Sequence, residues 1–276
     1  MRWLIAPLAL LLGSLAQAPG GSVLLRLDYN LVNATVMGAY QGGKWLEAEQ
    51  LTRLASTNFT LYNPLGSIGS GTANPTLTAP TEACDWNRDT IFKVQQIAQT
   101  LRPIYALAAP WNPMPRSVSS IQPSQAHRKT IEDELRKLKV NSPVQISQAL
   151  RVDLDGDGRV EVLLSANSPA WQLYEGEIRP VYAEKKGDYA MVLVRKLLSD
   201  TDLRSFVLDS IHAQIPKPED QVPTVVTRRI GAVLDLDGDG KMEVLVEDWV
   251  HEGHGIRVYR WDGKKFAVVL EWGCGV

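Results

Sequence analysis

At 276 residues the chain is long enough for two modest domains or one large β domain. Hydrophobic content of 45% and charged content of 22% place it among folded proteins. The formal charge of −2 and the lack of any dense Lys/Arg run exclude a nucleic-acid partner.

Residues 1–18 read as a secretory signal. Arg2 supplies a minimal positive start, Leu4 to Leu12 is apolar but too short to span a bilayer, and Ala16-Gln17-Ala18 has the small-x-small cleavage form. Pro19 hinders a cut there, and Ser14-Leu15-Ala16 is the alternative; the competing reading of the whole segment is an N-terminal core helix. The expectation is a secreted or periplasmic protein, with no lipid-bearing Cys after the apolar run and no transmembrane segment in the mature chain. In such a compartment Cys84 and Cys274 can pair, or remain as two thiols.

Residues 19–109 are expected to form an N-terminal β-rich domain. Val23 to Leu27 is a strand, and Thr35 to Tyr40, Gln41-Gly42-Gly43 and Lys44-Trp45-Leu46 form a hairpin. Glu47 to Leu54 adds a helical turn or two, and Phe59 to Tyr62 another strand. Residues 63–83, rich in Gly, Pro, Ser, Thr and Asn, read as a long irregular loop. Thr90 to Leu101 is ambiguous: Val94, Ile97, Ala98 and Leu101 fit a helix face, while the β-branched content fits a strand. Residues 110–123 form a Pro-rich linker. The clearest helix covers 124–139, with Ser124 as cap, Ile131, Leu135 and Leu138 on one face, and i,i+4 pairs Glu132–Arg136 and Asp133–Lys137 on the other.

The most informative stretch occurs twice. Asp153-Leu154-Asp155-Gly156-Asp157-Gly158-Arg159-Val160-Glu161 and Asp235-Leu236-Asp237-Gly238-Asp239-Gly240-Lys241-Met242-Glu243 both place acids at positions 1, 3, 5 and 9. Alternate Asp residues on a tight Gly turn aim their carboxylates inward, and a hard cation takes six to eight oxygens. The expected ligands are Asp153, Asp155, Asp157, the Arg159 carbonyl and Glu161, then Asp235, Asp237, Asp239, the Lys241 carbonyl and Glu243. The cofactor expected is calcium, at two sites. A bare loop opposes itself, since two carboxylates ~5 Å apart in water repel by about 0.8 kcal/mol. The loops hold eight of the 31 acids, so the rest of the chain has 23 acids against 29 Lys plus Arg. The alternative is a solvated acidic turn.

The loop is not an EF-hand, because position 12 is Leu164 or Val246 and the flanks are strand-like. It resembles the calcium loops of FG-GAP and VCBS repeats, the family that includes the propeller blades of integrin α-subunits. The resemblance covers the loops and their flanking strands. Residues 124–276 are accordingly expected to be an FG-GAP/VCBS-like domain of two repeat units, 144–212 and 223–276. Unit one has strands ending at Val152, over Arg159–Leu164, Tyr189–Val194 and near Ser205–Leu208. Unit two has strands Ile230–Leu234, Lys241–Val246, Ile256–Trp261 and Phe266–Trp272, with a turn at Asp262-Gly263. Two four-stranded blades cannot close a propeller, so two related sheets should pack on each other. A propeller completed by N-terminal blades is the alternative. The fold class is thus mainly β: two four-stranded antiparallel blade-like units with calcium loops, one packing helix and an N-terminal β-rich domain.

No catalytic constellation emerges, and whether the protein is an enzyme stays open. His251-Glu252-Gly253-His254 reads as a polar turn, with a zinc or catalytic role as the alternative; His127 and His212 have no evident partner. Trp45, Trp261 and Trp272 read as core, and Trp111 as the tryptophan to test for an exposed platform. The expected role is binding or structural, toward a protein or glycan ligand. The rival is a secreted hydrolase working from the long Gly/Pro loop or near His251 and His254.

Overall fold

The computed structural model describes residues 21–28, 30–54, 56–78, 89–98, 103–168, 171–174, 177–180, 185–214, 227–250 and 253–275. The chain is mainly β, with several antiparallel sheets and one α-helix among these residues. The segment 1–18 and Cys84 lie outside them, so neither the signal nor the disulfide expectation meets the structure.

Seven strands form the N-terminal sheet: β1 (Ser22–Leu27), β2 (Asn33–Gln41), β3 (Lys44–Glu47), β4 (Asn58–Asn63), β5 (Gly66–Ala73), β6 (Asp89–Ile97) and β7 (Tyr105–Ala108), in the order β1-β7-β4-β5-β6-β2-β3. β1 also pairs with β2, so six strands close on themselves, with β3 added along β2. The expected β2–β3 hairpin turns at Gly42 and Gly43, with φ of 58° and 79°, the mirror-image turn that suits strand twist. The helical turn after it is a single 3₁₀ turn, Ala48–Gln50.

One expectation for this region needs correction, and one open alternative is settled. The stretch that looked like an irregular loop contains β5. Its glycines are there because β6 crosses closely: a Cβ on Gly69 would sit 2.0 Å from the Gln96 carbonyl oxygen, and one on Gly71 would sit 2.3 Å from the Phe92 ring. The ambiguous stretch from Thr90 is strand. Thr90 and Phe92 are buried while Ile91 and Lys93 are exposed, the period of two that a helix cannot satisfy.

Residues 110–123 are not a bare spacer. Their end forms β8 (Ser119–Ser120), which pairs with β9 (Ile146–Val152). Between these strands lies α1 (Gln125–Lys137), capped as expected by the Ser124 side chain, which accepts from the His127 amide. The imidazole of His127 accepts from the Ser124 amide at 3.1 Å, so this histidine does have a partner. The surface pairs differ from the expected ones: Asp133 bonds Lys129 at 3.2 Å and Arg136 at 2.8 Å, and Glu134 bonds Lys137 at 2.7 Å.

The repeat is present. In unit one, β9, β10 (Glu161–Asn167), β13 (Tyr189–Ser199) and β14 (Asp202–His212) form an antiparallel meander, interrupted by a separate hairpin of β11 (Trp171–Tyr174) and β12 (Glu177–Pro180). In unit two, β15 (Thr227–Leu234), β16 (Glu243–Val250), β17 (Gly253–Trp261) and β18 (Phe266–Gly275) repeat it without interruption. Asp262 anchors the last turn by accepting from the amides of Lys264 and Lys265.

Burial orders these layers. Ala232, Leu234, Leu245, Ile256 and Val258 of unit two pack with the core of the closed N-terminal sheet. Its other face, through Ile230, Val233, Val244, Val246 and Tyr259, meets Leu150, Val152, Leu163, Val192 and Val194 of unit one. The far face of unit one, with Ala149, Leu164, Tyr189 and Met191, is covered by Ile131 and Leu135 of α1. The two sheets therefore pack on each other, and the helix and the N-terminal sheet cover their outer faces. Sheets with both faces covered explain the continuous apolar runs of β15 and β13. Among the described residues no helix is long and apolar enough to cross a membrane.

Candidate metal centres

Each acidic loop joins the first two strands of its meander. In both, two glycines take left-handed backbone angles: Gly156 and Gly158 at 75° and 82°, Gly238 and Gly240 at 76° and 82°. That curls the chain so that the first Asp accepts from both glycine amides. Asp153 Oδ1 and Oδ2 bond the amides of Gly156 at 2.7 Å and Gly158 at 3.1 Å. Asp235 does the same with Gly238 at 2.7 Å and Gly240 at 3.0 Å. The third Asp bonds the amide two residues on, Asp157 to Arg159 and Asp239 to Lys241, both at 2.7 Å. The closing Glu is fully buried and reaches back, Glu161 to the Leu154 amide at 2.7 Å and Glu243 to the Leu236 amide at 2.8 Å.

These bonds bring three of the four predicted acids of each loop into one cluster, without Asp157 in the first and without Glu243 in the second. Oxygens of Asp153, Asp155 and Glu161 lie within 4.8 Å of one another, as do those of Asp235, Asp237 and Asp239. A hard cation with oxygen ligands suits such clusters. The Arg159 and Lys241 amides contribute the turn bonds just described, and their carbonyls are the position-7 groups of the sequence reading.

The two loops also touch. The Met242 amide donates to the Leu154 carbonyl at 2.8 Å. Arg116, from the 110–123 segment, donates to the carbonyls of Asp153 and Leu154 in one loop and of Gly240 in the other. Trp111 donates its indole N–H to the Asp235 carbonyl at 2.9 Å, and its ring lies over Gly238. Trp111 is therefore a half-buried clamp on the second loop and not an exposed platform.

What faces the carboxylates differs. β10 and β13 pair Val162 with Arg195, and β16 and β17 pair Val244 with Tyr259, so Lys196 and Arg260 stand at equivalent places across from Glu161 and Glu243. Lys196 Nζ lies 2.8 Å from Glu161 Oε1 and 2.9 Å from Asp155, with 3.7 Å to Asp157. Arg260 reaches the second loop edge-on: Nη2 is 2.6 Å from Asp239, and Nε is 3.1 Å from Asp237 Oδ2 and 3.8 Å from Glu243 Oε1. Among the described residues, no donor meets Asp237 Oδ2 or Glu243 Oε1 with hydrogen-bond geometry, although both atoms are buried.

The electrostatics follow. Burial raises the Glu161 carboxyl, against the lowering effect of Lys196. Burial also raises Glu243, and the neighbouring Asp charges add to it, so that its carboxyl is pushed up to about 9. Asp235 and Asp237 are raised for the same first reason, whereas at Asp239 burial, the largest single effect, is overcome by the Arg260 hydrogen bond, the Lys241 amide and the charges of Arg260 and Lys241 together, which lower it. Sequence reasoning missed Lys196, Arg260 and Arg116. Lys196 follows its Glu by 35 residues, but Arg260 follows Glu243 by about half that, because the β11–β12 hairpin is inserted in unit one only. That insertion hides the equivalence.

The histidine motif also needs correction. His251 is outside the described residues, but His254 belongs to β17 and not to a turn. Its ring stacks on Trp249 and tilts against Trp272, each at 4.8 Å between centroids. Burial first, then the Arg26 charge, lowers its imidazole to about 3, so it is neutral at physiological pH. Trp261 and Trp272 are core, as expected, and Trp45 packs against Tyr40. Beside the stack lies a charged cluster without sequence warning. Glu247, fully buried, accepts from Arg26 Nε at 3.0 Å, Tyr105 Oη at 2.7 Å and Arg229 Nε at 2.6 Å.

No family model, curated protein or solved structure matches this chain.

Proposed function

We propose that this is an exported, calcium-stabilised β protein with a binding or structural role toward a protein or glycan, its repeated acidic loops sharing the architecture of FG-GAP/VCBS-like calcium loops. The observation that carries this reading is the carboxylate cluster of Asp235, Asp237 and Asp239, whose oxygens lie within 4.8 Å of one another, next to a buried Glu243; Asp237 Oδ2 and Glu243 Oε1 face the Arg260 Nε at 3.1 Å and 3.8 Å without a hydrogen bond among the described residues. Buried carboxylate oxygens are costly unless a partner compensates them, and an oxygen-seeking dication is such a partner. Asp235, Asp237, Asp239 and Glu243 would hold it, and Asp153, Asp155, Asp157 and Glu161 are the corresponding set in unit one. The ion would neutralise acids crowded between core strands and so hold β15 and β16 together at their connecting turn. Export is supported by the order of charge, apolar run and small residues within 1–18.

Metal that binds only the folded chain adds RT ln(1 + [Ca]/Kd), about 2.7 kcal/mol per site at 100 times Kd. Thermal unfolding with calcium and with chelator tests the reading. The melting temperature should fall on chelation and recover poorly with magnesium, which prefers octahedral geometry. Equal melting in both conditions, with no calcium bound, would overturn it.

A further inference from the structure

The repeated loops share their backbone and differ in the cation that the chain itself supplies. In unit one the Lys196 side chain is only 3% exposed and its ammonium bonds Glu161 and Asp155 at once. The Trp261 ring of unit two lies 5.6 Å from the same nitrogen, and Trp261 is held by an edge contact with Phe206 and a tilted contact with Phe266. The ammonium is thus inside the carboxylate cluster and roofed. In unit two the corresponding Arg260 is 37% exposed and lies at the mouth of the loop. Its Nε, itself buried, lies 3.1 Å from Asp237 Oδ2 and 3.8 Å from Glu243 Oε1 but hydrogen-bonds neither, although the Asp237 side chain is 1% exposed and Glu243 fully buried.

We infer that the two loops have divided their roles: the Asp153–Glu161 loop carries Lys196 as its own permanent cation, and the Asp235–Glu243 loop is the one that takes calcium, one ion per chain. This rests on the calcium reading above. An ammonium bonded to Asp155 and Glu161 stands where a dication would need those same oxygens at 2.3–2.6 Å, and two cations cannot share that space. Admitting calcium to the first loop means drawing a buried charge from beneath an aromatic roof and leaving it without partners. The second loop asks less: the Arg260 Nε is buried beside Asp237 and Glu243, but the side chain is 37% exposed against 3% for Lys196, so the guanidinium has a way out into water. It keeps Asp239 within reach as it goes. The repeat therefore keeps one architecture with two neutralising cations, one covalent and one exchangeable.

Calcium titration of the full chain by calorimetry, with equilibrium dialysis to count bound ions, tests this. The wild type should bind one equivalent. Asp237→Asn should lose it, and Lys196→Met, which keeps the apolar stem and removes the charge, should gain a second equivalent. Two wild-type equivalents of similar affinity would overturn the division of roles while leaving the calcium reading intact. No bound calcium in the wild type and in Lys196→Met would overturn both. Should Lys196→Met fail to fold, the wild-type count and the Asp237→Asn loss still decide the question.

Discussion

The Met242 amide donates to the Leu154 carbonyl at 2.8 Å, so each acidic loop is hydrogen-bonded to the other and not only to its own sheet. Arg116 reinforces this junction by donating to three loop carbonyls, those of Asp153, Leu154 and Gly240. Hydrogen bonds from a charged donor each contribute roughly 1.5–3 kcal/mol when water cannot replace them. Arg116 is half-buried, so water recovers part of the loss. Arg116→Ala is expected to lower unfolding free energy by about 2 kcal/mol, read by urea denaturation. A change near zero would show that Arg116 does not reinforce the junction between the loops.

The Glu247 cluster predicts an acid sensitivity. Burial alone would raise this carboxyl, but Arg229 and Arg26 override it and hold it well below the ordinary 4.5. A carboxyl depressed in the folded state adds stability that is fully present above the unfolded value and is lost as pH falls below 4.5 toward the folded one. Glu247→Gln leaves Arg26 and Arg229 as buried like charges, and breaking such a pair costs about 3–5 kcal/mol. The variant should be markedly less stable at pH 7 and show a shallower acid limb. Parallel acid limbs in the two proteins would refute the assignment.

His254 acts with the same sign in a different window. Its folded value of about 3 lies below the ordinary 6.5, so below 6.5 the unfolded chain binds a proton that the folded chain refuses. Stability therefore declines from pH 6.5 toward 3 and is flat, for this group, above 6.5. One proton corresponds to a slope of about 1.4 kcal/mol per pH unit. Replacing His254 by Phe keeps a ring between Trp249 and Trp272 and should remove this slope between pH 6 and roughly 5, where Glu247 does not yet titrate. An unchanged slope would mean that the ring titrates normally.

Cys274 lies in β18 directly across from His254 and packs against the N-terminal core. Non-reduced peptide mapping of exported protein is expected to yield a Cys84–Cys274 cross-link. Recovery of both as alkylated thiols would argue against pairing.

Much of unit two was legible because its signals were local. The Asp/Gly spacing dictates the curl of each loop, and Asp262 with Gly263 dictates the last turn. What stayed hidden is chemistry set by partners far along the chain. Nothing near Gly69 announces that the Gln96 backbone crosses it, so a Gly/Ser-rich strand looked like a loop. Nothing near Lys196 announces a carboxylate cage 35 residues earlier. Trp111 was a candidate for an exposed platform because its real target, the Asp235 carbonyl, lies 124 residues away.

That last contact supplies a steric test of how the second loop is held. Gly238 and Gly240 have nearly the same left-handed φ, 76° and 82°, so Ala at either pays the same backbone strain of roughly 1–2 kcal/mol. Their surroundings differ. A Cβ on Gly240 meets nothing within 4 Å, whereas one on Gly238 would lie 2.9 Å from the Trp111 ring. Gly238→Ala must therefore displace the indole and its hydrogen bond to Asp235, and should be the more destabilising by about 1–2 kcal/mol. In a Trp111→Ala background that excess has no source, so the two alanine variants should cost the same. The coupling between positions 111 and 238, measured by a double-mutant cycle in urea, should then be about 1 kcal/mol or more, against none between 111 and 240. If Gly238→Ala costs as much without the tryptophan as with it, Trp111 does not clamp the loop.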